Sequence, residues 1–273
     1  MLFLFSGHFT QTSELVSARQ RGEMVLAILE GPVLHCGLGM PSDPDAFEKA
    51  FGGHSIAFWR QALRVLDRGT GGDRAEKGEL QLVYAFPLRG SVDGARILAD
   101  GDVSFDAASG RVTVPLTASI PSGTFELSAS QIKGWALFPT AGLPFRVRGY
   151  SAAKGLTLEP QTGSGTIARY DELHALRALK AYLIDGTFFV DDVSAGGAQP
   201  QVDNIAALHF DFDAATGFLF VTVVAAGERA DERPLYDSPS DLPGWPDLSL
   251  PDFSTKWRYR RLVVVQRGWR LRN

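Results

Sequence analysis

An alternation of apolar and polar positions, followed by a continuous apolar run, predicts a β-hairpin over residues 205–227. In the first half, Leu208, Phe210 and Phe212 are separated by polar residues, so one face of this strand is expected to be buried and the other solvated. The second half, residues 218–224, is almost wholly apolar and rich in β-branched side chains. A strand of that composition is expected to be covered on both faces.

The turn of this hairpin has a near copy earlier in the chain. Asp213 can accept hydrogen bonds from amides two residues further on, and Gly217 can adopt a positive φ. Residues 212–217 read Phe-Asp-Ala-Ala-Thr-Gly, and residues 105–110 read Phe-Asp-Ala-Ala-Ser-Gly. Two interpretations stay open: a duplicated unit of helix and antiparallel sheet, or favourable turn chemistry reached twice.

Other segments show the period of a helix or the length of a strand. Leucines and a tyrosine at helical spacing predict a helix over residues 167–184. A Ser-Asp-Pro-Asp start predicts a short helix over residues 42–51, because serine can cap it and proline suits its first turn. A second amphipathic helix is predicted over residues 54–66. Between residues 79 and 150, short apolar runs alternate with turn residues, as in antiparallel sheets.

These elements predict a β-rich α+β fold, in which antiparallel sheets carry a few packed amphipathic helices. Residues 1–41 are expected to form N-terminal strands, because they contain two short apolar runs. Residues 42–150 are expected to form one unit of helix and antiparallel sheet, and residues 151–273 a second. Residues 228–252, within the second unit, form an acidic arm rich in proline.

Composition restricts the class of protein. The chain has 273 residues, of which 45% are hydrophobic and 21% charged, so it can bury a core. A net charge of −4 argues against a surface wholly adapted to polyanions, and a single cysteine excludes an internal disulfide. The apolar start lacks a basic leader and breaks too early for a signal peptide, and no run reaches the roughly 18 apolar residues of a membrane span. We expect a cytoplasmic protein or a part of an assembled particle, without a membrane partner.

His209, Asp211 and Asp213 are the first candidate site. They are spaced by two on a predicted strand, so their side chains project from one face. One imidazole and two carboxylates can bind a divalent metal ion if a further ligand joins them. Two neighbouring carboxylates can also act as an acid and base pair. The alternative is a solvated strand face, which the alternation alone predicts.

His35 and Cys36 suggest a thiol nucleophile beside an imidazole. Adjacent residues on an extended chain point in opposite directions, however, so a small buried cysteine is the expected state of Cys36. His54 stands at a predicted helix start and is expected to cap it. No cofactor is predicted from any motif in the chain.

The acidic arm is the predicted contact surface for a partner. Prolines prevent a helix or a central strand there, and about 25 residues is long for an idle connection. Its apolar and aromatic side chains are the candidate partner-binding residues: Tyr236, Trp245, Leu248 and Leu250.

The segment after the arm is basic. On a strand predicted over residues 256–262, Lys256, Arg258 and Arg260 face one way and the aromatic residues between them face the other. Arginine interleaved with aromatic residues can bind single-stranded nucleic acid. The alternation separates the two kinds of side chain, and the acidic arm is an internal partner for the bases, so protein partners are favoured over nucleic acid.

The sequence favours a non-catalytic structural or adaptor subunit of a larger protein assembly, for example a phage-tail-like or secretion-type particle. Other protein subunits are its expected partners, in a homo-oligomer or a hetero-oligomer. One alternative is a metal-assisted hydrolase or isomerase that uses His209, Asp211 and Asp213. The other is a protein that binds nucleic acid through its basic C-terminal strand.

Overall fold

The computed structural model confirms a β-rich α+β fold, in which antiparallel sheets pack against helices. The structure describes residues 2–67, 77–91, 93–127, 132–151, 155–194, 196–245, 250 and 252–271, with the backbone alone for residues 2–10, 67 and 77. The α-helices of this part of the chain are α1 (Leu2–Leu34) and α2 (Pro44–Ala50). Its strands are β1 (Leu63–Asp67), β2 (Lys77–Pro87), β3 (Val103–Asp106), β4 (Val112–Pro115), β5 (Trp135–Leu137), β6 (Pro144–Ser151), β7 (Gly155–Pro160), β8 (Ser164–Ile167), β9 (His174–Ile184), β10 (Thr187–Asp192), β11 (Ala198–Asp203), β12 (Ile205–Asp213), β13 (Phe218–Ala230) and β14 (Arg260–Arg270).

The N-terminal segment forms one long helix, α1, so the strands predicted within residues 1–41 are wrong. Short apolar runs are ambiguous between a strand and a helix that lies on a sheet, and here α1 packs across β13 and β14. A Cβ atom on Gly22 would lie 2.6 Å from Cγ2 of Val265, so glycine lets the helix approach β14 closely. The buried side chains of α1 recur at helical spacing: Ala18, Val25, Leu26, Leu29 and Val33.

The helix predicted over residues 42–51 is confirmed as α2, although Asp43 caps it in place of Ser42. Oδ1 of Asp43 accepts the amide N–H of Ala46 at 2.8 Å. The helix predicted over residues 54–66 is wrong beyond its first turn. A 3-10 turn is followed by Arg60 at φ 60°, and the chain then continues as β1, which pairs with β2.

The prediction of a helix over residues 167–184 is wrong. Residues 174–184 form β9, a long strand of the largest sheet. The strand order is β1-β2-β9-β5-β6-β7-β4, with β10 also paired to β9 and β11 to β10, all antiparallel. Leu179 is buried in the core beneath α1, whereas Leu176 is buried in the core beside α2. A strand covered on both faces loses its alternation, and the remaining leucine spacing then resembles that of a helix.

The hairpin predicted over residues 205–227 is confirmed as β12 and β13. Asp213 Oδ1 accepts the amide N–H of Ala215 at 2.9 Å, and Gly217 has a φ of 68°. Asp106 Oδ1 accepts the amide N–H of Ala108 at the same distance, so the two similar hexapeptides share their turn chemistry. The earlier turn joins β3 and β4, which pair with β8 and β7 rather than with each other. The duplication is therefore not confirmed.

The strands β12, β13 and β14 form a separate antiparallel sheet in that order. One face of this sheet, here called the inner face, packs on α1 and the largest sheet through residues such as Phe210, Val221 and Val265. The opposite face, here called the outer face, carries the polar residues of β12. Seven of the candidate residues that the structure describes lie on this sheet or against it: His209, Asp211, Asp213, Tyr236, Trp245, Leu250 and Arg260.

Candidate functional site

His209, Asp211 and Asp213 lie on the outer face of β12, as the alternation predicted. His209 and Asp211 line an open hollow together with residues of β13 and β14, among them Phe220, Gln266 and Gly268. Asp213 lies at the end of the strand, where the hairpin turns. The three side chains therefore share a face, but only two of them share the hollow.

Asp213 is engaged by the turn. Its Oδ2 atom accepts a hydrogen bond from Oγ1 of Thr216 at 2.6 Å, and its Oδ1 atom accepts the amide N–H of Ala215. These hydrogen bonds, that of Thr216 first, lower the pKa of Asp213. Within the described ranges, no group of three or more His, Cys, Asp or Glu side chains is arranged to hold a metal ion. The metal site thus stays a hypothesis without an assembled ligand set.

Cys36 is a buried cysteine and not an activated nucleophile. It is 1% exposed, its thiol donates to the carbonyl oxygen of Ala62 at 3.2 Å, and burial raises its pKa to about 12. The neighbouring His35 turns back along the chain, with Nδ1 2.9 Å from the carbonyl oxygen of Gly31. His54 caps the 3-10 turn that follows it, because its Nδ1 atom accepts the amide N–H of Ile56 at 3.1 Å. Both predictions from sequence are confirmed.

A second hollow lies between α2 and the 3-10 turn Ser55–Trp59. The ring of Phe58, which is 75% exposed, forms its apolar wall. Its two carboxylates, Asp45 and Glu48, both pair with Arg60. These charges serve to hold the turn against α2, and they leave a mainly apolar surface around Phe58.

The bases Lys256, Arg258 and Arg260 do not share one strand face, so that prediction is wrong. The segment Trp257–Tyr259 is a 3-10 turn, and β14 begins only at Arg260. The cations of Lys256 and Arg258 lie over the rings that follow them, 4.1 Å and 5.7 Å from the ring centroids. Arg260 donates to Oδ1 of Asn204 at 3.0 Å. Each base has a local structural contact, so the predicted binding of nucleic acid through these residues stays a prediction without a shared strand face to support it.

The acidic arm folds back on its own sheet. Leu242 and Leu250 are 3% and 9% exposed, and Tyr236 and Trp245 are half-buried beside them. Leu248 lies outside the described residues. Three of the four predicted partner-binding residues, Tyr236, Trp245 and Leu250, thus cover the outer face of the chain's own three-stranded sheet. The residues beneath it come from all three strands: Ala206, Ala207, Val224, Ala226 and Leu262.

The arm covers one half of the outer face and leaves the other half open. Phe220 is 52% exposed there, and its ring stacks on that of Phe218 at 5.8 Å. A Cβ atom on Gly268 would lie 2.9 Å from Cε1 of Phe220, so the phenyl ring lies directly over this glycine. Gln266 and Gly268 are both exposed on β14. The open half is the part of the sheet that carries the hollow of His209 and Asp211.

Sequence reasoning missed two surfaces. The first is the N-terminal part of α1, where Leu15 and Val16 are 41% and 50% exposed. The helical spacing of its buried residues, Val25, Leu29 and Val33, was the signal that could have identified the helix. The second is the outer edge of β14, for which no local signal exists, because strand pairing is a long-range property.

Comparison with known proteins gives no relative: no family model, curated protein or solved structure matches this chain. No helix in the described part of the chain is both long and apolar enough to cross a lipid bilayer.

Proposed function

We propose that this protein is a non-catalytic structural or adaptor subunit of a larger protein assembly, such as a phage-tail-like or secretion-type particle, and that a neighbouring copy of the same chain packs against α1. One observation carries the proposal: most side chains of α1 between residues 11 and 16 are exposed, whereas later turns of the helix pack on the sheets. With 33 residues, the helix measures about 50 Å.

The exposure of Leu15 locates the point where the support ends. Leu15, Leu26 and Val33 lie on the same side of α1, because steps of 11 and 18 residues are about three and five turns. Leu26 and Val33 are fully buried, whereas Leu15 is 41% exposed. One turn before Ala18, Glu14 accepts the amide N–H of Arg229 at 3.1 Å and ties the helix to the end of β13. The sheet thus supports α1 from about this tie onward.

The chemistry of α1 favours a protein partner for the rest of the helix. Val16 and Met24, on the side away from the sheet, are 50% and 52% exposed. The first turn reads Leu-Phe-Leu-Phe in sequence. A helix with apolar residues on all sides is stable when other elements cover it, and helices gain most of their stability from such packing. A neighbouring subunit would provide that cover.

Light scattering of the full chain over a wide range of concentration tests this proposal. We expect the wild-type protein to associate and the double variant Leu15→Glu/Val16→Glu to be monomeric. The matched control is Ser13→Glu/Gln20→Glu, which adds the same charge at exposed polar positions of α1. Circular dichroism checks that each variant keeps its fold. A wild-type protein that is monomeric throughout, or a double variant that associates as the wild type does, would contradict the proposal.

A further inference from the structure

The strand β14 forms one edge of the three-stranded sheet. It is 11 residues long, and in the described part of the chain it pairs with β13 alone. Long edge strands expose a row of backbone donors and acceptors, and natural proteins usually cover or interrupt them. An uncovered edge of this length is a ready template for another strand.

The register shows which residues of β14 point their backbone groups outward. The amide N–H of Leu271 donates to the carbonyl oxygen of Gly217 at 2.8 Å, so the odd-numbered residues of this strand bond to β13. The amide N–H of Leu262 instead donates to the hydroxyl of Tyr236 at 3.1 Å, away from β13. The even-numbered residues that follow therefore direct their N–H and C=O groups to the open edge: Val264, Gln266, Gly268 and Arg270.

These four residues, here called the open edge, are uncovered over most of their length. Gln266, Gly268 and Arg270 are exposed, and Val264 is half-buried. Within the described residues, their outward amides have no hydrogen-bond partner. The acidic arm closes only the first position of the edge, through Tyr236. At that position a group of the same chain accepts the outward N–H of β14, and beyond it the outward N–H groups are uncovered.

We propose that the open edge binds an extended acidic segment of another protein chain as an additional antiparallel strand. The proposal deepens the proposed function, because it requires a protein partner. Strand addition derives its affinity from main-chain hydrogen bonds and its specificity from alternate side chains. The site is distinct from α1, so the tests of the helix and of the edge can fail separately.

The basic character of β14 and its flanking residues favours an acidic partner strand. Residues 253–273 contain seven lysines and arginines and no acid. Arg267 already pairs with Glu23 and Glu30, at 3.0 Å and 3.5 Å, whereas Arg270 is exposed at the end of the edge. A second copy of β14 would bring equally basic strands together, and like charges across a strand pair are destabilising. An acidic strand has the complementary charge, as the arm of this chain does where Asp231 pairs with Arg261 at 3.7 Å.

Gly268 adds a requirement on shape. It has no side chain to separate the phenyl ring of Phe220 from a residue paired across the edge. An apolar or aromatic side chain opposite Gly268 can reach that half-exposed ring. The expected segment therefore has one such residue, and an acidic residue two positions from it that lies on the same face as Arg270.

A synthetic peptide provides the probe. It is blocked at both ends and alternates glutamate with valine, phenylalanine replaces the central glutamate, and a version with lysine in place of glutamate serves as the charge control. Fluorescence anisotropy with the full chain is expected to show binding of the glutamate peptide, weakened by salt, and not of the lysine peptide. Equal binding of the two peptides would contradict the acidic partner.

Two variants test the geometry. Gln266→Pro removes one outward N–H, leaves the backbone bonds to β13 in place, and loses the side-chain bond from Gln266 to Thr222 Oγ1; edge strands accept proline at such positions. Gln266→Ala removes the same side chain and keeps the N–H. We expect about tenfold weaker peptide binding by the proline variant and unchanged binding by the alanine variant. Arg270→Glu is expected to weaken binding of the glutamate peptide and to strengthen binding of the lysine peptide.

Amide exchange by NMR gives a readout that a general effect on stability would not reproduce. Peptide binding is expected to slow exchange at Val264, Gln266, Gly268 and Arg270, and to leave the amides between them unchanged because they already bond to β13. Absence of this alternation, or equal peptide binding by Gln266→Pro and Gln266→Ala, would overturn the proposal. Self-pairing of β14, seen as a dimer that Gln266→Pro abolishes and the peptide does not displace, would overturn the assigned partner.

Discussion

The hydroxyl of Tyr236 accepts the amide N–H of Leu262 at 3.1 Å and thereby joins the acidic arm to the first outward position of β14. This contact has two consequences. It fixes an extended, proline-rich segment on the chain's own sheet, and it marks the boundary between the covered and uncovered parts of the edge. The arm is thus an internal element of the fold, and the positions beyond it are the ones available to a partner.

Loss of this contact is predicted to destabilise the protein modestly. Tyr236→Phe keeps the ring in its apolar cluster and leaves the amide of Leu262 without its acceptor, which costs about 1 kcal/mol in the free energy of unfolding. Urea denaturation measures the change. Tyr170→Phe is the control, because Tyr170 is 58% exposed. Equal stability of Tyr236→Phe and wild type would show that the arm is not held at this point.

Cys36 is predicted to be inert in the folded protein. With its pKa raised to about 12, the thiol carries almost no thiolate near neutral pH, and it is 1% exposed. Labelling with a thiol reagent should therefore require unfolding, and denatured protein should react at once. Because the ordinary value is 9.0, the unfolded chain loses this proton first, so stability should fall as pH rises from 9.0 towards 12. Rapid labelling of native protein would contradict the buried state.

The hairpin turn is predicted to depend on the ionised form of Asp213. Its pKa is lowered by hydrogen bonds from Thr216 and the backbone, so its stabilising effect is present above the ordinary value of 3.8 and is lost as pH falls through the folded-state value. Asp213→Ala should therefore be less stable than wild type at neutral pH, with the difference shrinking in acid. Asp211→Ala is the matched control on the same strand face. A difference that does not change with pH would contradict this role.

Zinc and manganese ions are predicted to leave the thermal unfolding midpoint unchanged. A metal that binds only the folded state raises this midpoint, and binding needs a ligand set that His209 and Asp211 do not complete within the described residues. Thermal scans with and without each ion measure the effect, and Asp211→Ala is the comparison. A rise that disappears in Asp211→Ala would favour the metal-assisted enzyme over a structural subunit.

Arg260 is predicted to act in folding rather than in nucleic-acid binding. Its guanidinium donates to Asn204 and to the carbonyl oxygen of Gly227, at 3.0 Å and 3.1 Å. Arg260→Ala should lower the free energy of unfolding by about 1–3 kcal/mol, whereas the exposed Arg270→Ala should change it little. Filter binding of a single-stranded oligonucleotide should be negligible for all three proteins. Tight binding that weakens steeply with salt would favour the nucleic-acid alternative.

The part of the fold that sequence predicted is the part determined by local chemistry. The β12–β13 hairpin follows from alternation and from the turn residues Asp213 and Gly217, and the roles of Cys36 and His54 follow from their immediate neighbours. The structure of α1 and β9 depends on what covers them. Both faces of β9 are buried, and α1 packs on the sheets along one side. Neither fact can be read from the local sequence, because each depends on which distant elements pack together.

The candidate surfaces were harder to predict for the same reason. Alternation correctly predicted that His209 and Asp211 share one face. It also predicted a strand over residues 256–259, where the structure has a 3-10 turn with Trp257 buried. The open edge of β14 results from which strands pair, and no residue within the strand encodes that outcome. The arm's packing likewise depends on contacts with Val224 and Leu262, distant from it in sequence.

Hydrogen exchange along α1, measured at low and high protein concentration, tests the central claim most directly. A neighbouring subunit that covers the helix should slow exchange in residues 2–17 as concentration rises, while residues 18–34, already packed on the sheet, change little. The variant Leu15→Glu/Val16→Glu should abolish this concentration dependence, and Ser13→Glu/Gln20→Glu should keep it. Exchange in residues 2–17 that is the same at every concentration would contradict a role for α1 in assembly.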